Sequence, residues 1–299
     1  PGRTMDDLLN PAFLHELEAL RRRLVLRAAS GSAGERRSRR RGSSAEFEDH
    51  RPYSPGDDPR RIDWSAYART GEPVVKLFRA EEDAVVRLLV DASASMRFGE
   101  PPKLDAARRF AAALGYMALA GSERAQLLGL REGRLEARPS SRGRGGVGRL
   151  LRELGALEAS GAGGLASAID LGLRQAARPG WLVVLSDFFD PGAVTAALGR
   201  ARAAGHALGL VQVVAPEEIA PTFDGDLALV DAETGHTVEL SADADAVNAY
   251  LRRFEALSAS LAAFAKRHGA TYLRLRSDEP VLAPLRSFVL GTSAGAGRP

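Results

Sequence analysis

The chain has 299 residues, a formal net charge of +3, and 45% hydrophobic and 26% charged side chains. These are ordinary globular values, in a chain long enough for one large domain or two smaller ones. It contains no cysteine, which excludes disulfides, thiolate metal sites and cysteine nucleophiles. No stretch approaches the ~20 apolar residues of a membrane span. The opening residues, PGRTMDDLLNP, lack the apolar core of a signal peptide. The expectation is a cytoplasmic protein, membrane-associated only through partners.

Leu17, Leu20 and Leu24 at helical spacing predict an amphipathic helix within residues 1–30. A Gly/Ser-rich linker follows, and it holds the basic run ERRSRRRG from Glu35 to Gly42. That run reads either as a phosphate-binding arm or as a solvated, locally paired linker. The second is favoured, because no aromatic residue interleaves for base stacking and arginine is abundant throughout: only Lys76, Lys103 and Lys266 are lysines.

The segment Glu46 to Arg69, EFEDHRPYSPGDDPRRIDWSAYAR, has no clear period and is dense in Asp, Arg and aromatics. Asp57, Asp58 and Asp63 can pair with Arg51, Arg60, Arg61 and Arg69 through bidentate contacts, and Pro55-Gly56 marks a turn. With a strand over residues 73–78 this makes a small β-rich module. Residues 31–82 comprise the linker and the module, which is either an ion-paired brace or a recognition surface.

Val85 to Val90 is a mostly apolar and β-branched run that ends at Asp91, with Ser93 and Ser95 at alternate positions after it. A run apolar on both faces fits a central parallel strand. Oxygen-bearing side chains straight after such a strand lie at the carboxyl edge of the sheet, where open α/β sheets bind ligands. One carboxylate and two hydroxyls are hard donors suited to Mg²⁺. A plain turn that caps the next helix is the alternative.

Further along, a helix is predicted over 103–120, a hairpin over 126–130 and 134–137, and a helix over 147–157. Gly143, Gly145 and Gly148 spell G-x-G-x-x-G, but they follow a Pro/Ser loop rather than a strand and lack the P-loop Lys-Ser, so a flexible loop is expected. Helices over 165–177 and 193–204 enclose a second apolar strand, Leu182 to Leu185, which ends in Ser186 and Asp187. Strands over 207–214 and 270–275, an inserted hairpin over 227–230 and 237–240, and a long helix over 247–267 complete residues 83–290. Residues 291–299 read as a tail.

The alternation predicts an α/β, doubly wound, mostly parallel sheet. In the order 3-2-1-4-5-6 the first and fourth strands are neighbours at the switch point. Asp91 and Asp187 would then converge, and two carboxylates there repel unless a cation or a proton lies between them.

Asp91-Ala92-Ser93-Ala94-Ser95 resembles the D-x-S-x-S signature of von Willebrand factor A domains, and Asp187 resembles the aspartate those domains place after their fourth strand. The wider pattern is similar to the bacterial family catalogued as domain of unknown function fifty-eight. Its pieces are Glu46-Phe47, Arg51-Pro52-Tyr53, Pro55-Gly56-Asp57-Asp58, Arg60, Ile62-Asp63-Trp64, Ser186-Asp187-Phe188-Phe189 and Asp231-Ala232-Glu233-Thr234-Gly235. The resemblance implies a Rossmann-like adhesion domain that holds Mg²⁺ (or Mn²⁺) through Asp91, Ser93, Ser95 and Asp187, with a coordination position left for an acidic residue of a client. It also implies partnership with a MoxR-type AAA+ ATPase. One departure concerns the loop that carries a metal-binding threonine in such domains. Here it reads Ser160-Gly161-Ala162-Gly163-Gly164; Gly163 or Gly164 takes the threonine position, or Ser160 reaches in by a shifted backbone. A lost hydroxyl weakens the site without abolishing it, since water fills Mg²⁺ coordination.

The expectation is therefore a non-enzymatic interaction module. Metal-assisted hydrolysis is the main competitor, but His15, His50, His206, His236 and His268 are scattered and none is an obvious base for Ser93 or Ser95. Nucleic-acid binding through residues 35–42 is the third class, and it would show a steep salt dependence.

Overall fold

The computed structural model describes residues 13–21, 46–55, 57–79, 85–189, 191–221, 225–230, 232, 236–242 and 244–291. The chain divides into two compact units, Ala28–Asp83 and the remainder (Pro1–Arg27 with Ala84–Pro299).

The smaller unit contains β1 (Glu46–Pro52) and β2 (Val74–Arg79), an antiparallel pair with an irregular register between Phe47 and Asp49. Between them run a 3₁₀ turn (Pro59–Arg61) and a helix, α2 (Trp64–Thr70). The unit is thus a β-ribbon with a helical insert rather than simply β-rich. The helix escapes a periodicity argument because it spans two turns and is started by side-chain chemistry. Asp63 Oδ1 accepts from the amides of Ser65 (3.0 Å) and Ala66 (3.1 Å), and Gly71 ends the helix at φ 73°.

The larger unit is built on a seven-stranded sheet in the order β11-β8-β7-β3-β4-β5, with β6 paired to β4. The strands are β3 (Val85–Asp91), β4 (Arg124–Arg131), β5 (Arg134–Ala137), β6 (Ser141–Arg142), β7 (Trp181–Ser186), β8 (Ala207–Val214) and β11 (Thr271–Arg276). Four consecutive pairings, β11·β8, β8·β7, β7·β3 and β3·β4, are parallel. β5 and β6 run antiparallel to β4. Because the chain leaves β3 outward in one direction and returns through β7 in the other, β3 and β7 flank the switch point.

Both faces of the sheet are covered. On one face Val86, Leu88 and Val90 join a cluster with Leu17 and Leu20 of α1 (residues 13–21), the alanine-rich α3 (Lys103–Ala120), α4 (Val147–Gly155) and α9 (Leu282–Leu290). On the other face Leu89, Leu182, Val184 and Leu210 pack against α5 (Leu165–Gln175), α6 (Pro191–Ala203) and α8 (Ala244–His268). A helix buried nearly all round, as α3 is, belongs in a core, and its small side chains let it lie close to the strands. A short helix α7 (Pro216–Ile219) follows β8, and β9 (Gly225–Val230) pairs with β10 (Thr237–Ala242) as the expected inserted hairpin.

The glycine-rich segment 143–148 is not the flexible loop expected. It forms a 3₁₀ turn (Arg144–Gly146) leading into α4. There Arg144 Nη2 donates to Glu18 Oε1 at 2.5 Å, and a Cβ on Gly146 would meet Ser141 Cβ at 2.5 Å. The linker, the basic run 35–42 and the tail beyond residue 291 lie outside the described residues. So do Gly56, Asp231, Glu233 and Gly235; the side chains of Glu46 and His50 are likewise not described. No described helix is long and apolar enough to cross a membrane.

Candidate functional site

β3 and β7 end side by side, and their last residues meet. Ser186 Oγ donates to Asp91 Oδ2 at 2.7 Å, while Asp91 Oδ1 accepts from Ser93 N at 2.9 Å. Asp91 does therefore make a turn, as the simpler reading required, but the serines do not cap. Ser93 precedes a 3₁₀ turn (Ala94–Arg97) with no side-chain capping bond. Its hydroxyl lies 3.1 Å from that of Ser95. α3 starts after Pro102, also without a side-chain cap.

Asp91 is buried (4% exposed), as are Ser93, Ser186 and Asp187. Its pKa is pushed up to about 6, first by burial and then by the charge of Asp187, against hydrogen bonds from Ser186 and Ser93. Its partners, the Ser186 hydroxyl and the Ser93 amide, are both neutral. Asp187 differs: its Oδ2 accepts from Lys103 Nζ at 2.9 Å, and its Oδ1 from Phe189 N at 3.4 Å. Lys103 also donates to Glu218 Oε1 at 2.6 Å, and Glu218 Oε2 accepts from Ala215 N at 2.8 Å. Burial pulls the Lys103 pKa down, but Asp187 and Glu218 outweigh it and hold the ammonium above its ordinary value.

The turn after β7 is strained. Phe188, buried to 1% exposure, has φ 58°, which a bulky residue rarely adopts. Its amide donates to Ser186 Oγ at 3.1 Å, so one hydroxyl fixes both the strained turn and the Asp91 carboxylate.

Asp91, Ser93, Ser95, Asp187, Gly163 and Gly164 all line one cleft of about 670 Å³ at the carboxyl edge of the sheet. The loop before α5 is tied to the site by its backbone: Ser160 N donates to Ala92 O (2.9 Å), Ala94 N to Gly161 O (2.9 Å) and Gly133 N to Ala162 O (2.8 Å). The expectation that Ser160 could reach inward is corrected, because its hydroxyl donates to Glu132 Oε1 at 3.2 Å. Ser167, in the first turn of α5, does line the cleft and escaped the sequence reading because it lies beyond the Gly-Gly position. Lys103 and Glu218 escaped it too. The one available signal was a lone lysine opening an alanine-rich helix in an arginine-dominated chain.

The donor set fits a hard cation only with the hydroxyls included. Among the described residues no three His, Cys, Asp or Glu side chains come together to hold a metal. Asp91 retains unused lone pairs, and Ser93 and Ser95 add neutral oxygens, so a divalent ion here would be held by one free carboxylate, two hydroxyls and water.

In the smaller unit the family-pattern residues organise the local fold. Arg51 grips Asp57 through two bonds of 2.7 and 2.5 Å, and Asp57 Oδ2 accepts from Ser54 N at 3.0 Å. Asp58 Oδ1 accepts from Arg60 N at 3.0 Å. Tyr53 N donates to Pro73 O at 2.9 Å. Trp64 and Tyr67, 62% and 43% exposed, meet edge to face at 6.1 Å.

Residues 49–260 match the family described as "Protein of unknown function DUF58". The uncharacterized protein Mb1516 of Mycobacterium bovis and the uncharacterized protein Rv1480 of Mycobacterium tuberculosis are each 34% identical over 260 residues, covering 85% of this chain and 82% of theirs. Among solved structures, the conserved hypothetical protein BatB from Bacteroides thetaiotaomicron aligns with 70% of this chain and 98% of its own at 16% identity and a TM-score of 0.46. The SpRpn10 VWA domain aligns with 72% of this chain and 100% of its own at 11% identity and a TM-score of 0.42. A family match across most of the chain, together with relatives above 30% identity along most of its length, places this protein in the DUF58 family.

Proposed function

We propose that the larger unit is a protein-interaction module whose β3–β7 cleft docks an acidic side chain of a partner through a divalent cation, Mg²⁺ or Mn²⁺. The single observation behind this reading is Asp91. It is a buried carboxylate with neutral hydrogen-bond partners, beside a second carboxylate, on the wall of a cleft that the mutually hydrogen-bonded hydroxyls of Ser93 and Ser95 also line. Asp91, Ser93 and Ser95 would hold the ion, which supplies a positive charge for a partner carboxylate to complete. Asp187 shapes the local charge from the neighbouring strand. The likeness of the D-x-S-x-S run to von Willebrand factor A domains supports this assignment. The family resemblance further suggests a MoxR-type AAA+ ATPase as companion, with this chain as adaptor in assembling or remodelling a client complex.

The test is capture of a purified MoxR-type ATPase, and of proteins that copurify with it, by wild-type chain and by Asp91→Ala, each with Mg²⁺ and with chelator. Capture that needs both Asp91 and the ion is expected. Equal capture by both chains in both buffers would sink the reading.

A further inference from the structure

Lys103 is 1% exposed and, among the described residues, one of the largest fully buried side chains. It stands at the first residue of α3, where the helix dipole disfavours a cation. A buried ammonium in that position requires compensation, and the structure supplies it twice, through Asp187 at 2.9 Å and Glu218 at 2.6 Å. The rings of Phe189 and Phe98 lie 4.9 and 5.8 Å from Nζ and close over the charge. The result is a built-in monovalent cation on the very carboxylate that, in the D-x-S-x-S reading, should face the metal.

We propose that Lys103 competes with the divalent ion for Asp187 and thereby sets the metal affinity of the cleft, with Glu218 as the second anchor that keeps Lys103 paired whenever Asp187 turns to the metal. This rests on the cation-site reading above. While Lys103 holds Asp187, Asp91 is, among the described residues lining the cleft, the one carboxylate without a cationic partner, which makes a weak site; released, Asp187 adds a second carboxylate and a tighter one. Lys103 is here a positioning residue that acts through Asp187.

Two substitutions separate this from a general charge effect. Lys103→Met with Glu218→Gln removes one positive and one negative charge, so the net charge around the site is unchanged while Asp187 loses its ammonium. Glu218→Gln alone keeps the amide oxygen for Ala215 N but leaves Lys103 wholly on Asp187. Mn²⁺ binding is measured by titration calorimetry, and by loss of the free-Mn²⁺ paramagnetic signal, on the full chain, with circular dichroism to verify folding. The double variant should bind Mn²⁺ about tenfold tighter than wild type or better, and Glu218→Gln several-fold weaker.

Affinity in the folded double variant equal to or below wild type, where wild type binds in an Asp91-dependent way, would overturn the role of Lys103 and leave the cation site standing. Mn²⁺ binding by the double variant alone would support it, with Lys103 holding the wild-type site closed. Absence of binding in both would overturn the cation site and this inference together. Should the double variant not fold, the equally charge-neutral pair Lys103→Gln with Glu218→Gln decides: tighter binding supports the competition and unchanged or weaker binding overturns it.

Discussion

Ser186 reaches from the end of β7 to the end of β3 and donates to Asp91 Oδ2 at 2.7 Å, which binds the two strands of the switch point through a single buried carboxylate. Burial and the nearby charge of Asp187 lift the Asp91 pKa from 3.8 to about 6. A carboxyl that holds its proton more tightly when folded stabilises the fold while it is protonated. The folded chain binds the extra proton between about pH 4 and pH 6, so the contribution of Asp91 falls through that window and its ionisation opposes folding above it. A shift of roughly two units corresponds to about 3 kcal/mol.

Asp91→Asn should therefore raise the melting temperature at pH 7.5 in chelator by several degrees. Its amide oxygen can still accept from Ser93 N, and its amide nitrogen can donate to Ser186 Oγ. The gap between variant and wild type should close toward pH 4, and Mg²⁺ should narrow it at pH 7.5 by stabilising wild type alone. Thermal melts across pH check this; a variant less stable than wild type at pH 7.5 would contradict the electrostatic account. A site kept at a cost in stability is the usual mark of function.

The glycine loop beside the site makes a second, steric demand. Gly161 has φ 68°, and a Cβ there would sit 2.7 Å from Glu132 Cγ and 2.8 Å from Glu132 Cα. The second of these is backbone and cannot rotate away. Gly161→Ala should cost about 2 kcal/mol, and it should speed hydrogen exchange of the Ala94 amide, which donates to Gly161 O. Gly145→Ala, with nothing within 4 Å of the added methyl, is the control and should be close to neutral. Denaturant unfolding and amide exchange on both variants provide the measurement.

The residues that carry a short-range signal were the legible ones. The mostly apolar runs into Asp91 and Asp187 locate β3 and β7; alternation of helices and strands gives the doubly wound class, and the common strand order of that class makes the two neighbours. The α3 span of 103–120 and the β8 span of 207–214 are readable for a like reason: α3 repeats apolar residues at spacings of three and four, and β8 is a nearly continuous apolar run. What stayed hidden depends on contacts between distant residues. Lys103 meets Asp187 across 84 positions and Glu218 across 115, and no local pattern encodes such a meeting. α9 was missed because Pro284 interrupts its sequence, although proline is tolerated in a first helical turn. In the segment 143–148, glycine suggested flexibility, whereas Gly146 is there because Ser141 leaves no room for a side chain.

The docking of α1 shows how a helix with a weak pattern is held by the larger unit. Leu17 is fully buried and Leu20 nearly so, both within the cluster that contains α3 and α4. Glu18 accepts from Tyr116 Oη at 2.8 Å, from Arg144 and from Arg21. Burial raises the Glu18 pKa, but these three partners outweigh it and lower the carboxyl to about 2. The apolar and ionic contacts converge on the same two turns of helix. Leu17→Ala should cost about 2–5 kcal/mol, the range for a large-to-small change at a packed site. Glu18→Gln should destabilise less at neutral pH, with the deficit disappearing as the pH falls through 4 toward 2, since a carboxyl lowered by its partners stabilises only while ionised. Chemical denaturation at pH 7 and pH 3 checks both; an unchanged midpoint for Leu17→Ala would mean that α1 does not dock on the cluster.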